Sequence, residues 1–367
     1  MKTVLCFLFC CVLLQVRAQE VGAIEKLECF LDDCSFVSKF PNTEFGQLTV
    51  PENYDTPDGR KIKIAYVILK TDNTEFKGDP VIIFAGGWGI PEIQDAALYV
   101  NMPLRSERDI ILYDYRGTGY STPLPCEKLG TEAWADLMDD LSIETFYEKQ
   151  TRRYAECIET MEAAGIDYNR YGMNNLARDA AFLAQQLPYD TYNLFGISYG
   201  TMAIQHFLRE AEKYDITVRS VIIDSAVPIG TPTQGTMPLY YRQSLFALLD
   251  DCATDPNCNA AYPDLKNRFL RFQKSLDEEP LEVGLDDGSK TYLNKEEFNG
   301  ILHQMLYTHR RYPTLPLFLE SAIERDGHAL KKTLPTIKDL VISSYNATGL
   351  VEYVYDHKAN TAVSQLN

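Results

Sequence analysis

Beyond residue 18, no stretch of this 367-residue chain is apolar and long enough to cross a bilayer, which excludes an internal membrane anchor. Basic residues are in short supply: 35 Lys and Arg face 52 Asp and Glu, for a formal charge of −17. A surface of that sign repels phosphate backbones and anionic headgroups, so neither nucleic acid nor an anionic membrane is expected as a partner. Internal repeats and low-complexity tracts are missing, which excludes solenoids and linker-like segments. Histidine is scarce, five in all, and no residues call for a cofactor or a metal.

What is present begins with an export signal. Met1-Lys2 precedes an apolar run over residues 4–14, too short to span a membrane, and Ala18 offers a small residue for cleavage before Gln19. Residues 1–18 therefore read as a signal peptide and the mature protein as secreted, extracellular or periplasmic. Three of nine cysteines leave with that peptide, and Cys29, Cys34, Cys126, Cys157, Cys252 and Cys258 remain. An even number in an oxidising compartment implies three disulfides. Sequence proximity favours Cys29–Cys34, Cys126–Cys157 and Cys252–Cys258, with buried free thiols as the alternative. The single sequon Asn346-Ala347-Thr348 is near chance. Net acidity suits a site that receives a cationic group, such as a peptide's free amino terminus, and equally suits plain solubility.

The order of elements is that of an α/β protein. Residues 46–50 and 61–69 are amphipathic and separated by turn residues, which predicts an antiparallel pair at one edge of a sheet. The continuous apolar runs 80–84, 109–113, 192–195 and 218–224 predict buried parallel strands. Helical patterns over residues 91–104, 142–164, 174–186 and 201–208 alternate with them, so right-handed crossovers follow. From about residue 230 the chain turns into Tyr-rich, charged helical segments with no buried-strand run. These predict a helical cap inserted after the sixth strand. Its Tyr240, Tyr241, Phe246, Tyr307 and Tyr312 either line a substrate cleft or pack the cap's own core. The expected division is a signal peptide at 1–18, the first part of an α/β core at 19–229, the cap at 230–350 and a C-terminal segment at 351–367, with the last strands of the core missing.

Gly196-Ile197-Ser198-Tyr199-Gly200-Thr201 stands between a strand and a helix. In the nucleophile elbow of an α/β-hydrolase, Gly-x-Ser-x-Gly makes a turn too sharp for bulky neighbours and lifts the serine Oγ above the sheet. Gly and Ser also crowd into ordinary turns, and the flanking strand and helix are what favour the elbow here. Three further blocks accompany it: residues 50–54 (Val-Pro-Glu-Asn-Tyr), 86–89 (Gly-Gly-Trp-Gly) and 114–121 (Asp-Tyr-Arg-Gly-Thr-Gly-Tyr-Ser). With these four in order, the chain resembles the secreted tripeptidyl-aminopeptidase and prolyl-iminopeptidase branch of the α/β-hydrolases, which are serine peptidases. The resemblance runs from about residue 46 to 228.

It implies Ser198 as the nucleophile, with the backbone amides of Gly87 and Tyr199 as the oxyanion hole, and Asp114 and Arg116 as holders of the loop beside the elbow. It implies peptides attacked from the free amino terminus as substrates. Trp88 stands where the family has proline, which makes the oxyanion loop less rigid and the adjoining pocket bulkier.

A serine nucleophile also needs a base and an acid that orients it. In this fold they follow the cap in the order Ser…Asp/Glu…His. No apolar strand followed by Gly-x-x-Asp and no terminal Gly-His turn is found after residue 230. His206, His303 and His309 lie in helical patterns, while His328 and His357 are the remaining candidates. A truncated form of a true peptidase, expected to be inactive as it stands, competes with a non-catalytic module of the same fold and with an esterase or lipase.

Overall fold

The computed structural model describes residues 20–332 except 74, 76–77, 88, 140, 232, 285–287, 289, 308 and 328–329. The side chains of residues 143 and 233–235 are likewise not described. The expected signal peptide, the sequon, Trp88, His328 and His357 lie outside the described residues.

A seven-stranded mixed sheet organises the core. Its strands are β1 (Ile24–Leu27), β2 (Thr43–Pro51), β3 (Lys61–Leu69), β4 (Val81–Phe84), β5 (Ile110–Tyr113), β6 (Thr191–Ile197) and β7 (Thr217–Asp224). They lie in the order β1-β2-β3-β5-β4-β6-β7. The pairs from β1 through β3 to β5 are antiparallel, and β5, β4, β6 and β7 run parallel. This is the α/β-hydrolase fold expected from the sequence. One correction concerns the edge: the antiparallel pair is not outermost, because the short β1 covers β2.

Period-two alternation divides the strands between two cores. Ile64, Tyr66 and Ile68 of β3, Ile82 and Phe84 of β4, and Ile111 and Tyr113 of β5 face one side. They pack there against α3 (Ile143–Ala163), α4 (Met173–Gln186) and α5 (Tyr199–Ala211). Val67, Ile83, Ile110 and Leu112 point to the other face, where Phe36, Ile93 and Ala96 cover them. Because both faces are covered, β4 and β5 read as continuous apolar runs rather than alternating ones. Residues 91–104, expected as one helix, form instead a 3₁₀ turn, the four-residue α1 (Ala96–Tyr99) and a second 3₁₀ turn opening at Pro103. Proline disfavours helical geometry in the residue before it, which accounts for the break at Met102.

The run 218–224 predicts a buried strand, and this is the main departure. β7 is the sheet's last strand among the described residues, and Val221, Ile222 and Ile223 are 37%, 50% and 45% exposed. The run is apolar enough for burial, but nothing described covers its far side.

The cap comprises α6 (Thr233–Thr254), α7 (Pro256–Ala261), α8 (Leu265–Ser275), α9 (Lys295–Leu306) and α10 (Leu315–Ile323). A hairpin of β8 (Leu281–Gly284) and β9 (Lys290–Leu293) corrects the expectation of an all-helical cap. Leu281, Val283 and Leu293 point into the cap core beside Phe269, Phe298 and Leu319, while Glu282 and Tyr292 face outward. α2 (Leu129–Met138), missed in the sequence, sends Trp134 and Met138 against that core. The three cysteine pairs form as spacing favoured, joining Cys29 to Cys34, Cys126 to Cys157 and Cys252 to Cys258.

Gly300 sits in the middle of α9 with open space where a Cβ would be. Glycine there costs helix stability and nothing opposes a methyl group, so Gly300→Ala should stabilise the protein by about 0.5–1 kcal/mol. A urea midpoint that falls in the variant would contradict this.

Candidate active site

β6 ends at Ile197, α5 begins at Tyr199, and Ser198 alone makes the turn with φ 51° and ψ −115°. Side chains rarely occupy such backbone, and it persists only where surroundings enforce it. Here they do. Ser198 N–H donates to the Asp224 carbonyl at 2.9 Å, hooking the turn to the end of β7. A Cβ on Gly196 would stand 2.8 Å from the Gly200 carbonyl oxygen, and one on Gly200 would stand 2.0 Å from that of Phe84. Both glycines are thus required by backbone approaching backbone. Thr201 Oγ1 donates to the Ser198 carbonyl at 2.6 Å and accepts from Val227 N–H at 2.8 Å. Gln205 in turn bonds Val227 O and Ile229 N–H, so α5 is laced to the loop after β7.

The loop after β4 comes up against this turn. A Cβ on Gly86 would lie 3.6 Å from that of Ser198, and Gly87 has φ +80°, which favours glycine. Tyr199 opens α5 at the positive end of its dipole, with its ring buried beside Tyr115. The structure therefore sets Gly86–Gly87, Ser198 and Tyr199 around one turn. Asp114 ties the segment following the glycines from behind: its buried carboxylate accepts N–H bonds from Glu92 (2.8 Å), Ile93 (2.9 Å) and Tyr120 (2.8 Å). Burial pushes its carboxyl up to about 6, against the pull of those three donors. The hydroxyl of Tyr115 donates to Ala85 O at 2.9 Å and steadies the start of the same loop.

Arg116 is fully buried and forms a two-pronged ion pair with Asp179, both bonds at 2.6 Å. Asp179 and its second partner Tyr54 were missed in the sequence. The available signal was a carboxylate set among Leu176, Ala177, Ala180 and Leu183 on α4, since an acidic residue on an apolar helix face is rarely buried without a partner.

No histidine among the described residues is hydrogen-bonded to Ser198 Oγ. His206, on α5, is half-buried, and burial lowers its pKa. His303 stands between the rings of Tyr241 and Tyr307, and His309 is exposed. Of the five cap aromatics, Tyr240, Tyr241 and Tyr307 line a cavity whose other wall is the loop after β7 at residues 225–228. Phe246 instead takes Arg242 and Lys266 over its ring, and Tyr312 donates to Leu306 O within the cap.

Comparison with known proteins agrees with this geometry. A family model described as the alpha/beta hydrolase fold matches residues 79–253. A protein named serine protease Hip1 from Mycobacterium tuberculosis (strain ATCC 25618 / H37Rv) is 28% identical over 227 residues, covering 58% of this chain and 42% of that one. A tripeptidyl aminopeptidase from Streptomyces lividans is 26% identical over 228 residues, covering 58% of this chain and 41% of its own length. The chain thus spans less than half the length of these relatives. A thermophilic esterase structure from Thermogutta terrifontis covers 83% of this chain and 72% of its own at 15% identity, with a TM-score of 0.33, too weak to bear on fold or function. Strand order, elbow and matched family model together make this chain an α/β-hydrolase-fold protein, similar to relatives named as serine protease and tripeptidyl aminopeptidase.

Proposed function

We propose that this protein is a secreted serine peptidase that cleaves short peptides from the free amino terminus through an acyl-enzyme on Ser198. The observation that carries the reading is the backbone of Ser198, held at φ 51° on a strand-to-helix turn by Gly196 and Gly200. Strained backbone of this kind, on a strand-to-helix turn, suits a hydroxyl presented for attack.

In this mechanism Ser198 Oγ attacks the peptide carbonyl carbon as a base takes its proton. The carbonyl oxygen becomes an oxyanion, facing the backbone N–H groups of Gly87 and Tyr199. The C–N bond then breaks and the amine leaves with a proton. Water repeats the sequence on the ester and frees Ser198. Removing one oxyanion donor of this kind costs on the order of 2.7–4 kcal/mol of transition-state stabilisation. Asp114 acts as a positioning residue for the oxyanion loop. Supporting export are the three disulfides, which persist in oxidising compartments.

In a form of the protein that supplies the base, a fluorophosphonate probe should label Ser198, and Ser198→Ala should lose labelling and peptidase activity together while melting at the same temperature. Labelling at any other residue, or activity retained by the alanine variant, would refute the assignment.

A further inference from the structure

A cavity of about 680 Å³ opens between the loop that follows β7 and the facing helices α6 and α9. It lies within the size range of small-ligand sites. Its near wall is the elbow's own support. Ser225 follows the residue whose carbonyl receives the Ser198 N–H, and Val227 N–H is bonded to Thr201. The far wall is made by Met237, Tyr240, Tyr241, His303, Leu306 and Tyr307.

The described lining contains no Asp, Glu, Lys or Arg, in a chain where those types make up 24% of residues. Tyr240 and Tyr307 remain 58% and 67% exposed, and Met237 40%, so their apolar surface stands open at the cavity. Behind them the wall is braced. The His303 ring is edge-on to Tyr241 at 5.7 Å and to Tyr307 at 5.2 Å, and the Tyr241 hydroxyl donates to Asn299 at 2.9 Å. Burial lowers the His303 pKa, which keeps this one imidazole neutral near neutral pH.

Resting on the acyl-transfer reading of Ser198, we infer that this cleft is the specificity pocket of the site, and that it accepts an uncharged aromatic or aliphatic side chain of the peptide and rejects a charged one. No lining side chain offers a carboxylate to an α-ammonium group, and Asp224 meets the cleft only through the Ser225 hydroxyl, whose hydrogen bond it accepts at 3.0 Å, so the cleft receives a side chain and the peptide's amino terminus lies elsewhere. Aromatic rings meeting edge to face gain more than their buried area alone provides. A charged side chain would exchange part of its water for neutral hydroxyls such as those of Ser225 and Ser244, with no opposite charge in the described lining to meet it.

The test measures binding rather than turnover. Titration calorimetry on the full chain and on its Ser198→Ala variant would use the N-acetyl amides of phenylalanine, leucine, lysine and glutamate. The phenylalanine and leucine amides should bind both proteins equally, and the lysine and glutamate amides at least about tenfold more weakly. Met237→Asp, at an exposed position that should leave folding intact, should move the preference toward the lysine amide. Equal binding of all four amides, no binding of any, or an unchanged preference in Met237→Asp would overturn the inference. If the amides behave as expected while Ser198 resists the fluorophosphonate, the peptidase reading fails and the pocket stands. If Ser198 is labelled while the amides show no preference, the reverse holds.

Discussion

Asp179→Ala should destabilise the protein by about 3–5 kcal/mol, the range for removing one member of a buried ion pair. The pair is unusually enclosed, with side-chain exposures of 0% for Arg116 and 1% for Asp179. Arg116 spends its remaining donors on Glu52 O at 2.7 Å, Arg170 O at 2.8 Å and Pro51 O at 3.4 Å, and its guanidinium lies 5.6 Å and 5.8 Å from the Tyr54 and Tyr171 ring centres. Tyr54 donates its hydroxyl to Asp179 at 2.8 Å. Burial pushes the Asp179 carboxyl upward, against the pull of Arg116 and of the Tyr54 hydroxyl.

Deleting the carboxylate strands a cation beneath β2, β5 and α4 with no water to solvate it. A melting temperature lower by roughly 10 °C is expected. The double replacement Arg116→Met with Asp179→Leu should lose much less, because the cost lies in an unpaired buried charge rather than in the absence of the pair. An Asp179→Ala protein within about 1 kcal/mol of the parent in urea unfolding would show that the pair is not sealed as described.

Gly200→Ala should abolish labelling of Ser198 and cost about 3 kcal/mol or more of stability, at or beyond the upper end for an overpacked core. The added carbon would sit 2.0 Å from the Phe84 carbonyl oxygen and 2.7 Å from that of Ala85, both main-chain atoms at the end of β4. No rotamer can relieve that contact. Either β4 parts from α5 or the elbow turns, and each displaces Ser198 from the Gly86–Gly87 loop. Gly300→Ala supplies the contrast, the same substitution in open space with the opposite sign. Thermal unfolding and fluorophosphonate labelling, read together, separate loss of the fold from loss of the elbow. Undiminished labelling of Ser198 in Gly200→Ala would sink the packing argument.

Much of this molecule was readable along the chain because the signals are local. Gly196, Ser198 and Gly200 lie within five residues and demand one turn, and the continuous apolar runs of β4 and β5 announce strands covered on both faces. The cysteine pairs were legible because the two nearest ones leave little chain to close, separated by 5 and 6 residues. The hairpin β8–β9 escaped notice because each strand has only four residues, too short for alternation to stand out from the helical patterns around it.

Other features depended on residues far apart in sequence. Asp179 meets Arg116 across 63 positions, and neither residue's neighbours name the other. Asp114 reads as part of a glycine turn, yet the segment it holds by Glu92 and Ile93 precedes it by some twenty residues. Most plainly, Val221, Ile222 and Ile223 carry the pattern of a buried strand while β7 lies open at the edge of the described sheet. Hydrophobic pattern records what a strand can bury. Which element lies beside it is decided only when the layers assemble.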